Sequence, residues 1–115
     1  MNPISIQATE STPTINCNFE NELIEILGRS IPENATEFYS PLIEWVTDFG
    51  NSDKHNLKII FFLDYINSIS FKIVFEILLL TEKIKQDGKN VSILWKYDEG
   101  DEQILDEGYY FSSKL

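Results

Sequence analysis

Histidine and cysteine are almost missing from this sequence: one His, His55, and one Cys, Cys17, stand among 115 residues. A single thiol closes no internal disulfide, and one imidazole with one thiol makes no Cys/His cluster for zinc or iron. Nucleophilic catalysis needs a base beside Cys17 or a serine, and His55 is the only imidazole on offer. Cys17 alternates inside a strand-like stretch and His55 lies in a polar loop, so both read as structural. Glycine is sparse, at positions 28, 50, 88, 100 and 108 only, and none of these opens a G-x-G-x-x-G or Walker phosphate cradle. Long apolar runs are missing too: Ile59 to Leu63 and Ile77 to Leu80 fall far short of the ~20 residues that span a bilayer. The first twenty residues hold no Lys or Arg and no apolar core, so no secretory signal is read and a cytoplasmic location is expected. Basic charge is scarce as well. Nine Lys and Arg against 19 Asp and Glu give a net charge of −10, which repels phosphate backbones and anionic lipid, so neither nucleic acid nor membrane insertion is expected.

What is present reads as one globular domain, residues 1–115, with 43% hydrophobic and 13% aromatic residues and no internal repeat or linker. Ile4 to Thr9 and Thr14 to Phe19 alternate apolar with polar at period two around a Glu10-to-Pro13 turn, which predicts a hairpin. Leu23 to Leu27 is a third short strand, ended by Gly28. Ser30 with Glu33 three positions on, and Pro32 between them, suggests a capping box for a helix running to about Phe49. Pro41 inside that pattern predicts a kink or restart, with Ser40 as a second cap. Leu57 to Tyr65 is apolar nearly throughout, as a strand buried on both faces would be. A second helix is expected from about Phe71 to Asp87, closed by Gly88, and a last strand from Val91 to Tyr97. The fold class is therefore α/β: a mixed sheet of four to five strands with helices packed on it, in the order β-β-β-α-β-α-β, followed by a short acidic C-terminal segment.

The second helix carries an apolar arc of roughly 220°, about twice what packing on a sheet requires. Either the first helix or the tail covers the surplus, or part of it docks another protein. Lys72 and Glu76, four apart on the narrow polar face, read as a solvated ion pair. The acidic run Asp98 to Glu102, with Asp106 and Glu107, matches no calcium loop and reads first as a solvated or interacting surface, with paired-carboxylate chemistry as the sharper option. Trp45 and Trp95 sit on helical and strand patterns and read as core. The segment Tyr65 to Lys72 stands out, because functional groups collect at the carboxyl ends of strands in open α/β sheets. Ser68 or Asn67 is placed to cap the helix, which alone would explain a serine there. A hydroxyl at a helix N-terminus is also a place where a phosphoryl group is well accommodated by the exposed amides and the dipole.

These residues carry a resemblance. Thr12-Pro-Thr-Ile15, Gly28 to Ala35, Phe38-Tyr-Ser-Pro-Leu42 with Trp45, Tyr65 to Lys72, and Val91 to Trp95 before an acidic tail are similar to the SiaC family of bacterial regulatory phosphoproteins over nearly the whole chain. The resemblance implies a fold like the STAS-type anti-sigma-factor antagonists and a role in partner switching. A kinase phosphorylates one hydroxyl of the Asn-[Thr/Ser]-Ser segment, a PP2C-type phosphatase removes the phosphate, and the unphosphorylated form binds and activates a diguanylate cyclase. Carried onto this chain, the phosphoacceptor is Ser68, with Ser70 in reserve, and the partner-binding segment is Asn67, Ser68, Ile69, Ser70, Phe71 and Lys72. The family usually has Thr at the position of Ser68, Ser at that of Ile69 and a small polar residue at that of Phe71, so this segment departs from the pattern. No enzymatic activity, cofactor or metal is implied. Two other classes of function are weighed: a constitutive acidic adaptor or inhibitor that binds without phosphorylation, and a small hydrolase using the acidic run.

Overall fold

The computed structural model describes residues 1–115. Five strands and three helices follow one another as β1 (Ile4–Ile6), β2 (Thr14–Asn18), β3 (Leu23–Ser30), α1 (Ala35–Gly50), β4 (Asn56–Ile66), α2 (Ser68–Gln86), β5 (Asn90–Lys96) and α3 (Glu102–Lys114). The strands form one mixed sheet in the order β1-β2-β3-β4-β5. The two hairpin connections pair β1, β2 and β3 antiparallel, while the helical crossovers make β3-β4 and β4-β5 parallel. The acidic tail is a full helix of 13 residues, capped by Asp101, whose side chain accepts from the Ile104 amide. No helix is long and apolar enough to cross a membrane.

Four local expectations are corrected. β3 does not stop at Gly28; the chain takes φ +118° there, a left-handed value suited to glycine, and passes through an irregularity at Gly28/Arg29 before pairing again as far as Ser30. Ser30 therefore is no helix cap. Its hydroxyl is buried 2.6 Å from the Tyr39 hydroxyl, and Asn34 caps α1 by accepting from the Glu37 amide at 3.1 Å. α1 runs unbroken through Pro41, without a second cap at Ser40. Pro41 is exposed, so the Glu37 carbonyl that loses its helical donor is on the solvent side. β4 is not buried on both faces: Leu57, Ile59, Phe61 and Leu63 are buried while Lys58, Phe62 and Asp64 are exposed, because the core lies on one face of the sheet.

The surplus apolar arc of α2 is covered mostly within the chain. α1 packs along one flank, and α3 lays Phe111 against Phe71 at 4.5 Å between ring centroids and against Phe75 at 6.2 Å. Ile69 and Leu79 remain outside. Lys72 and Glu76 are not paired, since the chain's one ion pair joins Arg29 and Asp64. Trp45 is buried in the core, and Trp95 is half-buried between Phe61 and Phe111.

Candidate functional site

β4 delivers the chain to the head of α2 through one residue, Asn67, which is fixed from three directions. Its amide donates to the Ser30 carbonyl at 3.0 Å, its carbonyl accepts from the Phe71 amide at 2.8 Å, and its side-chain oxygen accepts from the Ser70 amide at 2.9 Å. Asn67 is thus the cap, and Ser68 is released from that duty. The anchor behind Asn67 is itself rigid, because Ser30 is held by its buried hydrogen bond to Tyr39. Burial raises the Tyr39 hydroxyl to about 12, with the Ser30 contact acting in the opposite direction.

The six residues of the segment divide by helical geometry. Ser68, Ile69 and Lys72 point outward, with Ile69 58% exposed. Ser70 is fully buried, and its hydroxyl has no hydrogen-bond partner in the chain. Phe71 turns inward onto Phe111 and Tyr110. Of the two candidate hydroxyls, only that of Ser68 lies where another enzyme can reach it. Tyr65, 44% exposed, and the half-exposed pair Arg29–Asp64, 3.5 Å apart, border the segment on the sheet side.

The electrostatics favour an anion at Ser68. The amides of Ser68 and Ile69 have no acceptor within the chain, as expected for the first residues of a helix. The first turn of α2 holds no acidic residue, its last turn carries Lys83 and Lys85, and Lys72 stands four residues from Ser68 on the same face. A helix of 19 residues thus presents its positive end without a counter-charge.

The alternative chemistries find less support. Cys17 is buried and its thiol is pushed up to about 12 by desolvation, which makes it a poor nucleophile at neutral pH. His55 is exposed just before β4, at the opposite end of that strand from Ser68. The acidic run does not gather into a group of three metal-ligating side chains. Within it, Glu107 lines a surface cleft together with Phe71 of α2, with one carboxylate oxygen buried and unpartnered; burial, and then the charge of Asp101, raise its pKa. The sequence named Glu107 only as one member of the acidic run and foresaw neither its burial nor the Arg29–Asp64 pair, because each depends on which elements lie side by side. The i, i+4 spacing of Glu107 and Phe111, which carries Glu107 inward with that buried ring, was the one available signal.

Similarity to known proteins covers the whole domain. The family model described as SiaC family regulatory phosphoprotein matches residues 6–115. A protein of Pseudomonas aeruginosa strain UCBPP-PA14 is 33% identical over 106 residues, which is 92% of this chain and 84% of that protein. The crystal structure of apo-SiaC from Pseudomonas aeruginosa superposes with a TM-score of 0.93 at 30% identity, over 100% of this chain and 93% of that one. The crystal structure of the diguanylate cyclase SiaD in complex with its activator SiaC, from the same organism, contains a chain that matches with a TM-score of 0.91 at 32% identity, over 96% of this chain and 90% of that one.

Proposed function

Because this chain belongs to the SiaC family of regulatory phosphoproteins, we propose that it is a phosphorylation-controlled partner-switching protein whose state is written on Ser68. Unmodified, the outward face of Asn67 to Lys72, with Ile69 at its centre, docks a diguanylate cyclase and activates it. A kinase adds the phosphate and a PP2C-type phosphatase removes it, all in the cytoplasm, with this chain as their substrate rather than a catalyst. The observation that carries the reading is the exposed, hydrogen-bond-free Ser68 hydroxyl at the uncompensated positive end of α2. The likeness to an activator crystallised with its cyclase supplies the class of partner.

The physics of release is a change of charge on an unchanged scaffold. A phosphoserine carries about −1.5 to −2 charges, added here to a protein already at −10. If its burial against an apolar or acidic partner surface costs about 2.8 kcal/mol, affinity falls about a hundredfold. Intact-mass mapping of protein isolated from cells is expected to place one phosphate on Ser68 and none on buried Ser70. Cyclase binding is expected to persist in Ser68→Ala and to fail in Ser68→Asp and in the phosphoprotein. Equal affinity across all four forms refutes the switch and leaves a constitutive adaptor.

A further inference from the structure

β5 is the last strand of the sheet, and nothing in the chain pairs with its outer edge. The Asn90 amide donates to the His55 carbonyl at 2.7 Å, on the β4 side. Successive residues of a strand direct their backbone groups to opposite neighbours, so Asn90, Ser92, Leu94 and Lys96 face β4 while Val91, Ile93 and Trp95 face outward. Their six backbone donors and acceptors form a continuous unpaired row. Natural edge strands are usually blunted by proline, bulges or several charges, and this one carries only Lys96.

The same three residues turn their side chains to the core face of the sheet, in register with Leu57, Ile59 and Phe61. Ile93 should therefore be buried, yet it is 38% exposed. A cleft of about 550 Å³ lies over it, floored by β5 and walled by Leu78, Glu82 and Lys85 of α2 and Tyr109 of α3. Leu78 is ten residues from Ser68, about 15 Å along the helix, so the cleft is separate from the phosphoacceptor. An open hydrogen-bonding edge and a cleft with an apolar floor thus share one strand. At its carboxyl end, Asp98, Glu99, Asp101 and Glu102 supply four negative charges without a base among them.

We propose that β5 is a strand-addition site for an extended segment of a partner protein, one that runs antiparallel to β5, places apolar side chains at alternate positions in the cleft, and carries basic residues at its N-terminal end against Asp98 to Glu102. Main-chain pairing supplies affinity, the cleft selects alternate side chains, and the acidic turn sets direction. The site lies outside the Ser68 surface and is open in either phosphorylation state.

The test uses the full-length, unphosphorylated, isotope-labelled chain and a capped peptide of alternating valine and threonine with two lysines at its N-terminal end. In the free protein the amides of Val91, Ile93 and Trp95 should exchange with solvent faster than those of Ser92 and Leu94. Peptide addition should shift the three outward amides and slow their exchange about tenfold or more. Binding should weaken when the peptide lysines become glutamates, and vanish when alternate peptide amides are N-methylated or when Ile93→Lys places a charge on the apolar floor of the cleft. The proposal is overturned if the outward amides are already protected in the free chain. It is equally overturned if millimolar peptide leaves them unshifted, or if the N-methylated peptide binds as well as the parent.

Discussion

Phosphorylation of Ser68 should stabilise the fold rather than loosen it. A phosphate on the first residue of α2 faces two amides that have no acceptor in the chain, a first turn without acid, and Lys72 one turn further on. A negative charge at a helix N-terminus contributes typically 0.3–1 kcal/mol, and up to about 2 where geometry is good. Against this stands repulsion from the protein's net charge of −10, most of it screened beyond about 8 Å at physiological salt. Asp64, the nearest acid in sequence, is already engaged with Arg29. A net gain of about 1 kcal/mol remains, which for a domain of this size is a rise of roughly 4 °C in Tm. The helix end favours the dianion, so the folded-state second pKa of the phosphate falls below its usual value near 6. The part of the added stability that comes from the second charge is then complete above that value and is lost as pH falls through the lowered one, while the monoanion keeps the rest. Thermal unfolding of the phosphoprotein and the unmodified chain, followed by circular dichroism between pH 5 and 8 at low and high salt, measures this directly. Ser68→Ala is the control, expected within about 0.5 kcal/mol of the parent because the hydroxyl bonds nothing. A Tm that drops on phosphorylation, together with faster amide exchange at Ser70 and Phe71, would show that the modification melts the helix end, and the charge-label mechanism would be refuted.

Three further outcomes follow from the packing. A Cβ at Gly108 would stand 2.4 Å from Trp95 Cδ1, and the indole cannot yield easily because its Nε1 donates to the Ile104 carbonyl at 2.8 Å. Gly108→Ala should therefore cost about 1–3 kcal/mol by urea unfolding despite alanine's better helix propensity, with altered tryptophan fluorescence; an unchanged midpoint contradicts it. Ser30→Ala removes the partner of the buried Tyr39 hydroxyl and should cost about 1–3 kcal/mol, whereas a cost near zero would mean that Tyr39 finds another partner. Glu107 has a raised folded-state pKa, so its protonated form is the one the fold prefers, and that contribution is present below the ordinary carboxylate pKa and lost as pH rises through the raised value. Glu107→Gln should accordingly raise the unfolding midpoint at pH 7, with an advantage that shrinks to nothing in acid; a constant advantage across pH would remove charge as its cause.

The segment from Tyr65 to Lys72 was legible because its signals are local. An apolar strand, an Asn-Ser cap pair and an apolar helix fall within a few residues of each other, and capping chemistry needs no distant partner. The head of α1 misled for the same reason. Ser30, Pro32 and Glu33 have the spacing of a capping box, but the Ser30 hydroxyl found a better partner in Tyr39, nine residues away, and the cap moved to Asn34. Which of Asn67 and Ser68 caps α2 could not be read from the sequence. It was decided by the backbone angle of Asn67 and its tie to Ser30.

Sequence alone determined the class of this molecule: a single acidic α/β domain, short of thiols, imidazoles and phosphate loops, with one hydroxyl-bearing cap segment at the end of its most apolar strand. Those properties follow from composition and short-range periodicity, which act between residues a few positions apart. Tertiary structure decided the rest, because it depends on which elements become neighbours. It leaves one sheet face open, folds α3 over Phe71, sends Ser70 inward and Ser68 outward, and strands Ile93 beside an unpaired edge.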